Sequence, residues 1–544
     1  MNPPYPDWRA LLAGDPDGYA RALASSRGGP AVLLATGVGG HLAVAALDGL
    51  LAAALTMRGA QVHVLLCDGT LPACELLTLD TIADPEAFFR TGAPRDKCRA
   101  CLAGALDMFN ALGVQVHTYG GLVTDQERAW CAETARDIAA SGIPDFTLDG
   151  CKAGEHALAG ALRFYAKGSL EDEPAADAVL RHYFSASLLS VHAVWRLLQK
   201  HDFVSASFHH GIYVPQGLVG EAARAMGVRV VNWQVAYRKR SFIFSHHETY
   251  HHALQTEPTA NWEGIPWDEG LEARTLDYLR SRWDGARDWI WFHEGRQRDA
   301  DAIRAQLGLD PGRPVLGLLT NVVWDAQLHY PANAFRSMAD WVVATIRYVA
   351  QRPDLQLAIR VHPAELRGGV PSRERMAEVL ARRLGELPGN VRLVPPESEV
   401  STYALLSLCD CALIYGTKTG VELTSMGIPV VVAGEAWIRG KGLTLDADSA
   451  AAYNGILARL PLGRRLEGQD LRRARMYAYH FFFRRMIPLA NIEPQAGWPP
   501  FTVRLGHPGE LLPGRDPGLD VIVQGILNGT DFIYPDERHH GHAA

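Results

Sequence analysis

Two short apolar runs in the last third of the chain constrain its fold more than any other feature. Leu357-Ala358-Ile359-Arg360-Val361 ends in His362-Pro363-Ala364-Glu365, and Cys411-Ala412-Leu413-Ile414-Tyr415 ends in Gly416-Thr417-Lys418-Thr419-Gly420. Between them lie helical segments and one further strand-like run. Apolar strands that alternate with helices form parallel sheets covered on both faces. Both polar loops must then leave the same edge of one sheet, where ligands of such sheets bind.

The same alternation runs through most of the sequence. It predicts strands over 31–35, 61–67, 114–119, 203–208 and 229–235, with an apolar helix over 42–57. A second series predicts strands over 315–320, 356–361, 391–394, 411–415 and 429–433. The expected fold class is α/β, with two doubly wound Rossmann-like domains facing across a cleft. The domains are read as 1–254, with a cysteine group, and 311–460, which carries both polar loops. A helical linker occupies 255–310, and a C-terminal helical segment and tail occupy 461–544.

Composition narrows the function. At 544 residues the chain exceeds one domain, and 48% hydrophobic with 21% charged residues is ordinary for a globular protein. A formal net charge of -7 supplies no basic field for nucleic acid. The start, MNPPYPDWRALLAG, is polar and proline-rich and reads as no secretory signal. Leu42–Met57 is too short for a membrane span and contains Asp48. A reducing cytoplasm is therefore the expected location. A basic-aromatic stretch from Arg464 to Arg485 leaves peripheral contact with a membrane open, although packing of its rings against the protein is the favoured reading.

Particular residues point to chemistry. Thr417, Lys418, Thr419 and Gly420, at the start of a helix that carries Glu422, suit an anionic phosphate, with Glu422 accepting from a ribose hydroxyl. The plain alternative is an N-cap and a tight turn. Arg360 and His362 would neutralise and protonate a leaving phosphate, and Glu365 stands beside them. Thr36-Gly37-Val38-Gly39-Gly40-His41 is glycine-rich without matching a dinucleotide or triphosphate fingerprint. It reads either as a tight turn or as a loop facing the cleft, with His41 a candidate base. His210 and Asp68, each just beyond a strand, are further base candidates. Cys67, Cys74, Cys98 and Cys101 have C-x6-C and C-x2-C spacing, which suits structural zinc or an iron–sulfur cluster; four buried thiols are the alternative.

With these motifs in view, residues 310–450 resemble the bacterial capsular and surface polysaccharide glycosyltransferases of GT-B architecture. The resemblance is carried by Thr320-Asn321-Val322-Val323-Trp324-Asp325, Arg360-Val361-His362-Pro363-Ala364-Glu365, Ser401-Thr402-Tyr403 and Tyr415-Gly416-Thr417-Lys418-Thr419-Gly420-Val421-Glu422. Gly427-Ile428-Pro429-Val430-Val431-Val432 and Gly440-Lys441-Gly442-Leu443-Thr444 continue it. The His-Pro pair followed by a hydroxyl loop is also similar to sialyl and Kdo transferases that use CMP-activated sugars. These have paired serines where this chain has Thr-Lys-Thr. The resemblance implies transfer from a CMP-, UDP- or GDP-sugar to a glycan or lipid-linked acceptor. It also implies no divalent ion, with Lys418 and Arg360 neutralising the phosphate. A sugar-nucleotide 2-epimerase of the same fold and a non-catalytic polysaccharide assembly component are the alternatives.

Overall fold

The computed structural model describes residues 5–283, 287–289, 297–325 and 331–540; of residues 539 and 540 only the backbone is described. The tail histidine His542 therefore lies outside the described residues.

The first sheet is built from β1 (Ala31–Gly37), β2 (Gln61–Leu66), β3 (Gln115–Thr118), β4 (Phe203–His209), β5 (Arg229–Val235) and β6 (Ser241–His246). Five of these strands run parallel in the order β3-β2-β1-β4-β5, and β6 adds antiparallel to β5. The strands split their side chains by parity. Leu33, Ala35 and Leu65 enter a core with the helices Ala153–Tyr165 and Ala176–Lys200. Val32, Leu34, Val62 and Val64 enter a second core with the helix Leu42–Met57. That helix is buried from Ala43 to Thr56, as its apolar run requires.

The second sheet holds β7 (Val315–Leu319), β8 (Gln356–Arg360), β9 (Val391–Val394), β10 (Cys411–Ile414), β11 (Val430–Val432) and β12 (Leu445–Asp446). Its order is β9-β8-β7-β10-β11-β12, and every pairing is parallel. Strand order reverses between β1 and β4 in one sheet and between β7 and β10 in the other. The loops that leave these strands are therefore the expected ligand positions.

The C-terminal region differs from the appended helical segment read from sequence. The helix Gly468–Tyr479 packs on the second half, but the chain then returns to the first. Residues Ile487–Pro488 form β13, antiparallel to β6 at the edge of the first sheet. Phe501, Leu519, Ile522 and Phe532 close that sheet's outer core. The reason is apolar: Val231, Trp233, Phe242 and Phe244 on β5 and β6 would otherwise face water, and Phe501 meets Phe242 edge-on at 5.5 Å. Tyr477, Tyr479, Phe481, Phe482 and Phe483 are all buried, so the basic-aromatic stretch offers no aromatic face to a membrane. No helix among the described residues is long and apolar enough to cross one.

Phe501→Ala should lower the stability of the first half by about 3–5 kcal/mol, the usual cost of emptying a buried aromatic site. Urea unfolding followed by tryptophan fluorescence measures it. A change within about 0.5 kcal/mol, as for a surface substitution, would show that the returning segment does not close this core.

Candidate active site

A cavity of about 1990 Å³ lies between the carboxyl edges of the two sheets. One wall carries Thr320 after β7, His362 after β8, and Thr417, Lys418 and Thr419 after β10. The opposite wall carries His41 after β1, and His209 and His210 at the end of β4, with Glu75 and Arg163 beside them. Tyr213 of the first half donates a hydrogen bond to Asp325 of the second at 2.8 Å, spanning the gap.

On the second-half wall, His362 is held from both sides. Its backbone N–H donates to Thr320 Oγ1 at 3.1 Å, and its Nδ1 accepts from the Ala364 N–H at 3.0 Å. Burial, with Lys418 and Arg360 nearby, lowers its pKa to about 4. The ring is thus neutral at pH 7, and because Nδ1 accepts, the proton belongs on Nε2. Thr417 and Thr419 place their hydroxyl oxygens 3.1 Å apart, and Thr417 Oγ1 also accepts from the Thr419 N–H at 3.3 Å. One backbone donor at this turn is therefore already used. The following helix, Thr419–Ser425, is only seven residues long. Hydroxyls and Lys418, rather than a long helix dipole, give this rim its polarity.

Several sequence-predicted residues sit behind the cavity and not in it. Glu422 is 2% exposed. It accepts from the Tyr403 hydroxyl and from Lys418 Nζ at 2.7 Å, and pairs with Arg282 Nε at 3.1 Å. Burial alone would raise its pKa, but Arg282 and Lys418 outweigh that and hold it at about 2. With its oxygens engaged inside the protein, Glu422 positions Lys418 rather than facing a ribose. Glu365 is also buried and accepts from the Met376 N–H at 2.9 Å, anchoring the start of the helix Met376–Leu384. Gly420 packs where a Cβ would meet Ile414 and Ile438 at 2.7 and 2.9 Å. Arg360 does line the cavity, and donates to Thr402 Oγ1 at 3.3 Å and to the carbonyl of Pro395.

The first-half wall also departs from expectation. Gly39 is needed for packing: a Cβ there would lie 2.6 Å from Ala105 Cβ and 2.7 Å from Cys101 O. The Gly40 N–H donates to Cys101 Sγ at 2.9 Å, and Gly37 takes a φ of +67° to turn the chain. The glycine loop thus docks on the helix Arg95–Ala111, and only His41 reaches the cavity. Asp68 accepts from the Gly120 N–H at 3.1 Å, away from the cavity lining. His210 does line it, in the left-handed backbone region at φ +60°, with its ring stacked on Tyr213 at 5.0 Å. Such a conformation in a non-glycine residue persists only where surrounding structure imposes it.

Glu75 escaped sequence reading because it lies in an irregular loop without a motif. Its carboxylate accepts from Gln216 Nε2 at 2.5 Å, and burial raises its pKa to about 7 despite Arg163. His41, His209 and Glu75 each bring one ligand-competent atom within 4.8 Å of the others. Burial lowers His41 to about 4 and His209 well below its usual value. This trio can relay a proton or ligate a cation.

The four cysteines gather around a separate small cavity of about 40 Å³. Burial pushes Cys67 up to about 12 and raises Cys74, Cys98 and Cys101, which favours neutral thiols.

No protein-family model and no curated protein matches this chain. Among solved structures it is similar to Thermosulfurimonas dismutans KpsC, a beta Kdo 2,4 transferase, at 16% identity over 51% of this chain and 79% of that one, with a TM-score of 0.34. UDP-GlcNAc 2-epimerase from Neisseria meningitidis aligns at 9% identity, covering 82% and 95%, with a TM-score of 0.25. S. aureus MnaA with UDP aligns at 11% identity, covering 83% and 91%, with a TM-score of 0.26. These scores are low and add nothing to the strand order and side-chain geometry above.

Glu422→Ala leaves the buried Arg282 and the half-buried Lys418 without this carboxylate and should cost about 3 kcal/mol. Denaturant unfolding of the full chain checks this. An unchanged midpoint would mean that the cluster does not hold the loop.

Proposed function

We propose that this chain is a glycosyltransferase that moves a sugar from a nucleotide-sugar to a glycan or lipid-linked acceptor. The observation that carries this reading is a single cavity with unlike walls. One presents donors, His362 Nε2–H, the Thr417 and Thr419 hydroxyls and Lys418, where a diphosphate or monophosphate would be held. The other presents proton acceptors, Glu75 and His41, where an acceptor hydroxyl would lie. The acceptor oxygen loses its proton to Glu75, attacks the anomeric carbon and forms the new glycosidic bond. The bond from that carbon to the phosphate oxygen breaks, and the phosphate leaves with the electron pair, stabilised by Lys418 and a hydrogen bond from His362. Arg360 adds positive potential behind the same rim.

A carboxyl group with a pKa of about 7 is matched to base catalysis at neutral pH. Turnover should therefore rise as pH rises through about 7, because the active carboxylate is the deprotonated form. Glu75→Gln should remove that limb and lower turnover by about 10²-fold or more, with nucleotide affinity retained. An unchanged pH profile would take Glu75 out of the reaction.

A thermal-shift panel of CMP, UDP and GDP identifies the nucleotide. His362→Ala and Thr419→Ala should each weaken its binding by about tenfold, the loss of a hydrogen bond to a charged group, without unfolding the unliganded chain. Wild-type binding in both variants would refute the phosphate rim. UDP and free sugar released from UDP-N-acetylglucosamine without an acceptor would favour the epimerase reading. Nucleotide binding with no turnover on any acceptor would favour an assembly role. Activity that is lost in EDTA and restored by a divalent cation would reassign His41, Glu75 and His209 as ligands.

A further inference from the structure

Away from the cleft, on the helix-covered face of the first sheet, three histidines converge. His63 lies midway along β2, His117 on the adjacent β3, and His201 in the turn between the helix Ala176–Lys200 and β4. The register sets Leu65 opposite His117, so His63 and His117 are diagonal neighbours on one face. The chain returns from its longest helix directly above them. One nitrogen from each ring lies within 4.8 Å of the other two, and His63 Nδ1 is 2.9 Å from His117 Nε2. The ring centroids of His63 and His201 are 4.4 Å apart.

From this geometry we propose a second, non-catalytic site: a tri-histidine centre at His63, His117 and His201 that takes one Zn²⁺ ion. Its purpose is to clamp the β2–β3 edge to the start of β4.

A hydrogen-bonded pair of imidazoles would explain two of the rings but not the third. Imidazole nitrogens suit zinc, and three of them leave a fourth position for water. His117 and His201 are half-buried, so the ion has a route from solvent, while His63 is fixed by the strand and by edge-on contact with Phe203 at 5.0 Å. The site is independent of the proposed transfer chemistry, and of the cysteine group, whose sulfurs would bind as thiolates.

The test uses the full chain carrying His539→Ala, His540→Ala and His542→Ala, which removes the histidine-rich tail as a competing ligand. Co²⁺ binding is followed by visible absorption and Zn²⁺ binding by calorimetry. The expected result is one equivalent, ligand-field bands without thiolate-to-metal charge transfer, and a rise in melting temperature with Zn²⁺. His117→Gln and His201→Gln, both at half-buried rings, should each weaken binding at least tenfold while circular dichroism stays unchanged. Absence of binding overturns the proposal. So does undiminished binding in both variants, or a charge-transfer band showing that cysteine sulfurs hold the ion.

Discussion

A buried carboxylate between the buried Arg282 and the half-buried Lys418 sets the shape of the cleft. Glu422 meets Arg282 from the linker and Lys418 from the loop after β10, and Lys418 Nζ sits 4.6 Å above the Tyr237 ring of the first half. Arg282 also pairs with Asp288, whose carboxylate accepts from Tyr278 at 2.7 Å. Charges removed from water are tolerated only when each has a partner in good geometry. The cluster can therefore hold together only if linker, loop and first domain stay where they are. That requirement fixes Lys418, and with it the positions of Thr417 and Thr419 at the cavity rim.

Burial does different work on the imidazoles and on the carboxyl group of the cavity. It keeps His362, His41 and His210 neutral by making the imidazolium costly. It acts in the opposite direction on Glu75, where the charged form is the anion and the pKa climbs. The same physical term thus yields a neutral donor on one side and a carboxylate poised near neutrality on the other. His362 and Thr417 follow central strands of a parallel sheet, and His41 and His210 follow the two strands at the reversal of the other.

The sheets themselves were readable in the sequence because parallel strands buried on both faces announce themselves as unbroken apolar runs. Leu42–Met57, Arg229–Val235 and Val391–Val394 match their predicted limits. β6 and β13 were missed because a short antiparallel strand and a two-residue edge pairing lack that signature, and because Ile487 finds Phe242 across some 240 residues of chain. The rim residues His362, Thr417 and Thr419 were legible from their place after strands. Roles that depend on remote partners were not. Glu422 looks available until Arg282 is brought to it, Glu365 until Met376 is, and Gly39 reads as a ligand loop until Ala105 fills the space beside it. Glu75 carried no local pattern at all; only burial beside His41 and Gln216 marks it out.

The central claim is that the loops after β8 and β10 jointly grip the anionic part of an activated sugar. A crystal structure of the chain with its bound nucleotide tests it most directly. A phosphate oxygen within hydrogen-bonding distance of His362 Nε2 and of a Thr417 or Thr419 hydroxyl is the predicted result. A nucleotide whose phosphates instead face Glu75 and His41, or lie outside this cavity, would contradict it.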